Sequence, residues 1–129
     1  STLLLAQPNV YRGHLTRQGR PMAPAYVTRV EEFIDVNADR PLTIADLAAH
    51  AGVGASTLFA GFREHRSTSP IAYLKGVRMR RAREALKSAS SGQTTVTEVA
   101  LRWGFTHLGR FAAEYRRWFG ESPSDTLRN

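Results

Sequence analysis

Arginine dominates the side chains of this chain that could do chemistry. Sixteen arginines stand beside only two lysines, Lys75 and Lys87, and the 18 basic residues outnumber the 11 acidic ones. A guanidinium presents a planar fork of donors that fits two phosphate oxygens, or the O6 and N7 edge of guanine. The chemistry such a set supports is reversible binding to a polyanion, most simply nucleic acid. The distribution is sharper than the total. Residues 51–119 hold 12 basic and 4 acidic side chains, whereas five acids (Glu31, Glu32, Asp35, Asp39 and Asp46) crowd into 31–46. Other chemistries lack their parts. The four histidines, His14, His50, His65 and His107, show no metal-ligand spacing such as His-Glu-x-x-His. No serine or aspartate lies in a nucleophile motif, and no Gly-rich phosphate loop occurs. Cysteine is absent, which removes disulfides and thiolate sites and fits a cytoplasmic protein. We expect no metal, no cofactor and no enzyme activity.

The elements that must position the arginines are set by an internal repeat. Ile44, Asp46, Leu47, Ala48, Gly52 and Val53 return as Val96, Glu98, Val99, Ala100, Gly104 and Phe105, each 52 positions on. Leu58, Phe62, Arg63, Ser69 and Pro70 return as Phe111, Tyr115, Arg116, Ser122 and Pro123, each 53 positions on, so one residue has been added between Gly104 and Phe111. A repeat constrains the whole fold, and this one reads as helix, tight turn, helix. Thr43 with Asp46, and Thr95 with Glu98, have the spacing of a capping box. Gly52 and Gly104 supply the sharp exits, where a left-handed backbone costs glycine least. Ser69-Pro70 and Ser122-Pro123 each start a helix, with Ser as cap and Pro in the first turn.

The expected architecture is all-α, with about seven helices and no strand. A first helix over about 24–37 buries Val27, Val30, Phe33 and Ile34 and turns Glu31, Glu32 and Asp35 outward. The first helix-turn-helix covers about 43–66, with Leu47, Ala48, Ala51, Leu58 and Phe62 inward. The longest helix, 70–88, has an apolar side of Ile71, Leu74, Val77, Met79, Ala82 and Leu86. The second helix-turn-helix covers about 95–119 and buries Val96, Val99, Ala100, Trp103, Leu108, Phe111, Tyr115 and Phe119. Trp118 and Phe105 are also read as core. At 129 residues and 42% hydrophobic, the chain is one domain's length. Residues 1–22 carry three arginines, two prolines, two glycines and no acid, and read as a linker. The absence of an initiator Met suggests a piece of something longer. No apolar run approaches the roughly 20 residues that a membrane helix needs.

The second unit, VTEVALRWGFTHLGRFAAEYRRWFGESP, resembles the signature of the AraC/XylS family of bacterial transcription regulators. The first unit, from Ile44 to Leu86, resembles that family's first half, and the likeness extends over about 25–128. It implies two helix-turn-helix subdomains joined by one long helix, over 23–129. It also implies a separate N-terminal effector-binding or dimerisation domain outside this chain. The implied partner is double-stranded DNA, with RNA polymerase as a further candidate, and the implied activity is control of transcription initiation, more often activation.

A recognition helix enters the major groove while its partner helix crosses the backbone. On this pattern Ser56, Thr57, Phe59 and Ala60 face bases from the first unit, and Thr106, His107, Gly109, Arg110 and Ala113 from the second. Phosphate contacts are expected from the helix starts at Thr43, Ser69, Thr95 and Ser122. Arg63, Arg66, Arg78, Arg81, Arg116 and Arg117 are the expected charge partners. Arg78 and Arg83 have an alternative, pairing with acids of the first helix. The sequence departs from the family in several places. The family often has Ser where Gly54 and Gly109 stand, and Arg where Ser56, Ala60 and Ala113 stand. A Tyr-Arg pair near its end is Thr126-Leu127 here. These small residues weaken direct base readout and keep two rivals in play: a helical protein-interaction module, and sequence-independent architectural binding.

Overall fold

The computed structural model describes residues 22–90 and 92–129. The expected linker, Met22 excepted, therefore lies outside the described residues. These form seven helices and no strand: α1 Ala25–Asn37, α2 Ile44–Ala51, α3 Ala55–Arg66, α4 Pro70–Ser88, α5 Val96–Arg102, α6 Leu108–Phe119 and α7 Pro123–Arg128.

The local signals act as the residue types dictate. Thr43 accepts from the Asp46 amide while the Asp46 carboxylate accepts from the Thr43 amide, and Thr95 with Glu98 repeats the arrangement. Ser122 and Asp125 close a third box at α7. Each box satisfies two of the four amides that a helix start leaves open. Gly52 and Gly104 take φ of 76° and 88°, as the turn of each unit requires.

Two cores form, and α4 is common to both. Leu74 and Val77 join Val27, Val30, Ile34, Leu47, Leu58 and Phe62 in the first. Met79, Ala82 and Leu86 join Val99, Ala100, Phe111 and Tyr115 in the second. Trp103 is partly buried and packs against both. The repeat shows a trade between equivalent positions. Phe62 meets the Tyr73 ring edge-on at 6.1 Å. The corresponding Tyr115 and Thr126 are hydrogen-bonded, phenol to hydroxyl, at 2.8 Å, and Thr126 in turn donates to the Glu121 carboxylate. Thr126 thus satisfies a buried phenol. Burial pushes the Tyr115 phenol above its ordinary value, while the hydrogen bond it shares with Thr126 and the nearby Arg83 pull the other way.

Four expectations about burial fail. Glu31, expected outward, is 1% exposed because Arg66 reaches back from α3 to pair with it. Ile71, expected inward, is 41% exposed, since it sits in the first turn of α4 beyond the edge of the core. Leu108 is 38% exposed because it opens α6, ahead of the first buried residue, Phe111. Trp118 is only half buried, its ring lying along the α4 backbone at Gly76.

Candidate nucleic-acid interface

The two candidate reading helices, α3 and α6, occupy equivalent steps of the repeat. Each is 12 residues long, and each has its first core residue, Leu58 or Phe111, at the fourth position. The inserted residue therefore lies in the turn: Val53-Gly54 precedes α3, whereas Phe105-Thr106-His107 precedes α6. Neither helix start is closed by a side chain, because Gly54 and His107 make no cap hydrogen bond, and neither first turn holds an acid. The starts of α2, α5 and α7 all carry an acid at the third position. Open amides and a positive dipole end, with no acid in the first turn, favour an anion at α3 and α6 over the other three.

All nine candidate base readers lie on the surface: Ser56, Thr57, Phe59 and Ala60 in the first unit, and Thr106, His107, Gly109, Arg110 and Ala113 in the second. Register pairs Ser56 with Gly109, Thr57 with Arg110 and Ala60 with Ala113. It also pairs Ala55 with Leu108, and both are exposed at the first helical position. Sequence reasoning did not set these two beside the candidates, although the partnership of Leu108 with an alanine at a helix start was a usable signal of its exposure. A shallow cleft lined by Lys75, Thr106, His107, Arg110 and Glu114 gathers three of the second unit's candidates. Lys75 and Glu114 are paired across it at 2.6 Å. In the first unit a second cleft, of about 440 Å³, brings Phe59 and Arg63 beside Ser67, Thr68 and Ser69, where α3 ends and α4 begins.

The arginines expected at phosphates divide into two groups. Arg63, Arg116 and Arg117 are exposed on the last turns of α3 and α6. Arg117 has only a loose pairing with Glu114, at 3.8 Å. The other three are engaged within the fold. Arg66 grips Glu31 with Nε to Oε2 at 2.6 Å and Nη2 to Oε1 at 3.1 Å. Arg78 donates to the carbonyls of Ala38 at 2.7 Å and Arg40 at 2.6 Å, and burial lowers its pKa against a partial offset from Asp39. Arg81 donates to the Asp35 carbonyl at 2.7 Å and lies over the Trp103 ring. The alternative pairing of Arg78 and Arg83 with acids of α1 does not form. Arg78 takes carbonyls instead, and Arg83 stacks on Phe119 at 4.7 Å. The hydroxyls of Thr43, Ser69, Thr95 and Ser122 are all spent on capping their own helices.

No group of three or more potential metal ligands gathers among the described residues, and no described helix is long and apolar enough to cross a membrane.

A helix-turn-helix domain model matches residues 47–129. The chain belongs to the AraC/XylS family. This is a family of transcription factors, not of enzymes. The chain is 41% identical over 128 residues to a probable thc operon regulatory protein of Rhodococcus erythropolis, covering 99% of this chain and 38% of that protein. It is 37% identical over 114 residues to the XylDLEGF operon transcriptional activator 2 of Pseudomonas putida, covering 88% of this chain and 73% of the activator. A solved structure of a probable AraC family transcriptional regulator from Rhodopseudomonas palustris superposes with a TM-score of 0.76 at 43% identity, covering 81% of this chain and 96% of that one. The chain thus corresponds to the AraC/XylS double helix-turn-helix, and it spans little over a third of the Rhodococcus relative's length.

Proposed function

We propose that this AraC/XylS domain binds double-stranded DNA sequence-specifically, with α3 and α6 entering successive major grooves, and thereby regulates transcription initiation. The observation that carries the reading is the equivalence of α3 and α6. Both present open, acid-free helix starts, and their outward residues are all exposed. Residues at the start of a recognition helix contact base edges. Arg110 is assigned a bidentate contact to guanine, and Leu108, Ala60 and Ala113 apolar contacts to thymine methyls. With so few polar readers, part of the selectivity is assigned to DNA shape.

Phosphate anchoring is assigned to Arg63, Arg116 and Arg117, with the cleft at Ser69 as a further contact. Arg66, Arg78 and Arg81 are left out because their donors are engaged inside the fold. Thr43, Thr95 and Ser122 serve first as caps, each beside a carboxylate that opposes a phosphate. Activation is the assigned sign of control, on the strength of the names of the Pseudomonas relatives. An activator must reach RNA polymerase, which makes the polymerase the proposed protein partner. An effector-binding or dimerisation domain would act from elsewhere in the full protein, in the cytoplasm.

Selection from a random duplex library at near-physiological salt tests this. The expected product is a motif of two blocks about one helical turn, roughly 34 Å, apart. Binding without any enriched motif would point to architectural binding instead, and no binding at all to a protein-interaction module.

A further inference from the structure

Both halves of the domain pack on α4, and the core changes hands along it. Leu74 and Val77 belong to the first core and Met79 to the second. Arg78 lies between them. From one side of α4 its Nε reaches the Ala38 carbonyl at 2.7 Å and its Nη2 the Arg40 carbonyl at 2.6 Å. On the other side its Nη1 lies 3.2 Å from where a Cβ on Gly104 would stand, at the turn between α5 and α6. Arg81 repeats the pattern about one turn further along. Its Nη2 reaches the Asp35 carbonyl at 2.7 Å, and its guanidinium lies 5.9 Å from the centre of the Trp103 ring, the residue before Gly104.

The acceptors make physical sense. The last carbonyls of a helix have no partner within it, and cations are favoured at that end. Carbonyls in the last turn of α1 (Asp35), at its C-cap (Ala38) and in the turn just beyond (Arg40) hold two arginines whose other faces press on the second unit's turn. A planar guanidinium can span such a gap as a strut, which a lysine's single ammonium cannot.

We propose that Arg78 and Arg81 are positioning residues that brace the second helix-turn-helix unit against the end of α1 and so fix the base-pair spacing that α3 and α6 accept. The spacing consequence rests on the two-groove reading above; the brace itself does not. One added base pair moves the second block by about 3.4 Å along the duplex and about 35° around it, from roughly ten base pairs per turn. A braced pair of reading helices tolerates little of that, whereas an unbraced pair follows it.

The test measures affinity on duplexes carrying the selected blocks, with the spacer shortened or lengthened by one or two base pairs. The parent chain should lose about tenfold or more at one base pair either way, the scale of a mismatch within a site. Arg78→Met and Arg81→Met should flatten this to about threefold while leaving the base preference within each block unchanged. Arg78→Lys should behave like the Met variant. If Arg78→Lys instead keeps the parental profile and Arg78→Met loses affinity equally at every spacing, Arg78 is a phosphate anchor and the proposal fails.

A second readout needs no DNA. The chain has no cysteine, so Glu64→Cys on α3 and Ser124→Cys on α7 give two unique spin-label sites. The label-to-label distance distribution should be narrow in the parent and broader in Arg78→Met or, should that variant not fold, in Arg81→Met. An unchanged width overturns the brace. A parent with no spacing optimum overturns the two-groove reading instead, and the label distances then decide the brace by themselves.

Discussion

Arg66 and Phe119 occupy the same step of the repeat, 53 positions apart, and both turn inward. Composition alone put Arg66 among the phosphate contacts, but its repeat partner is a half-buried aromatic, and that register was legible from the beginning. Glu31 was misplaced for the same reason, since a carboxylate on an apolar helix face looks exposed until the cation that neutralises it is found. The two sets of arginines should therefore respond differently. Arg66→Ala removes the guanidinium that offsets a buried carboxylate and should lower unfolding stability by about 3–5 kcal/mol. Arg63→Ala, on the surface, should change stability by less than about 0.5 kcal/mol yet weaken DNA binding. Denaturant unfolding and binding titration of both variants decide this, and equal stability losses would contradict the assignment. At Arg110 the expected effect is on selectivity. Arg110→Ala should relax preference at one base position by about 1–3 kcal/mol, visible as a flattened column in a selected motif. A uniform loss on all sequences would make Arg110 a phosphate contact.

At the scale of helices and turns, the chain announces its elements through short-range chemistry. The capping boxes at Thr43 and Thr95, the Ser-Pro starts and the turn glycines each satisfy local backbone needs, so they were readable without any tertiary knowledge. The errors, at Ile71, Leu108 and Trp118, fall near helix ends. There the apolar stripe runs past the neighbour that would cover it, and periodicity cannot sense where a partner helix stops. The two turn glycines look alike in sequence and differ in surroundings. Gly52 has φ of 76° with open space where a Cβ would stand, whereas Gly104 has φ of 88° and the Arg78 guanidinium 3.2 Å away. Gly52→Ala should cost only the left-handed backbone, about 1–2 kcal/mol. Gly104→Ala should cost more, because Arg78 must also move. Thermal unfolding of the two variants side by side tests this, and equal losses would mean that Arg78 yields freely. Thr95→Ala, by comparison, should cost about 1 kcal/mol through the lost cap on α5.

For the whole molecule, the question is how much of a net charge of +7 is available to DNA. The sequence could count arginines but not see their partners. Six phosphate contacts, the full set of arginine candidates, would give log affinity against log salt a slope of roughly −5. Three of the six are held inside the fold by Glu31 and by carbonyls of Asp35, Ala38 and Arg40. The remaining Arg63, Arg116 and Arg117 give a slope of roughly −3. Between 50 and 200 mM salt the difference is large: a loss of roughly 40-fold with three contacts against roughly 2,000-fold with six. Titrating one selected duplex across that range distinguishes them. The shallower slope means that the basic excess is partly structural, spent on joining α1 to α3 and α4. A slope near −5 would require internal arginines, or surface ones outside the assigned set, to turn to the backbone. Repeating the titration with Arg78→Met separates those cases, because an arginine that stays on the Ala38 and Arg40 carbonyls releases no counterion and leaves the slope unchanged.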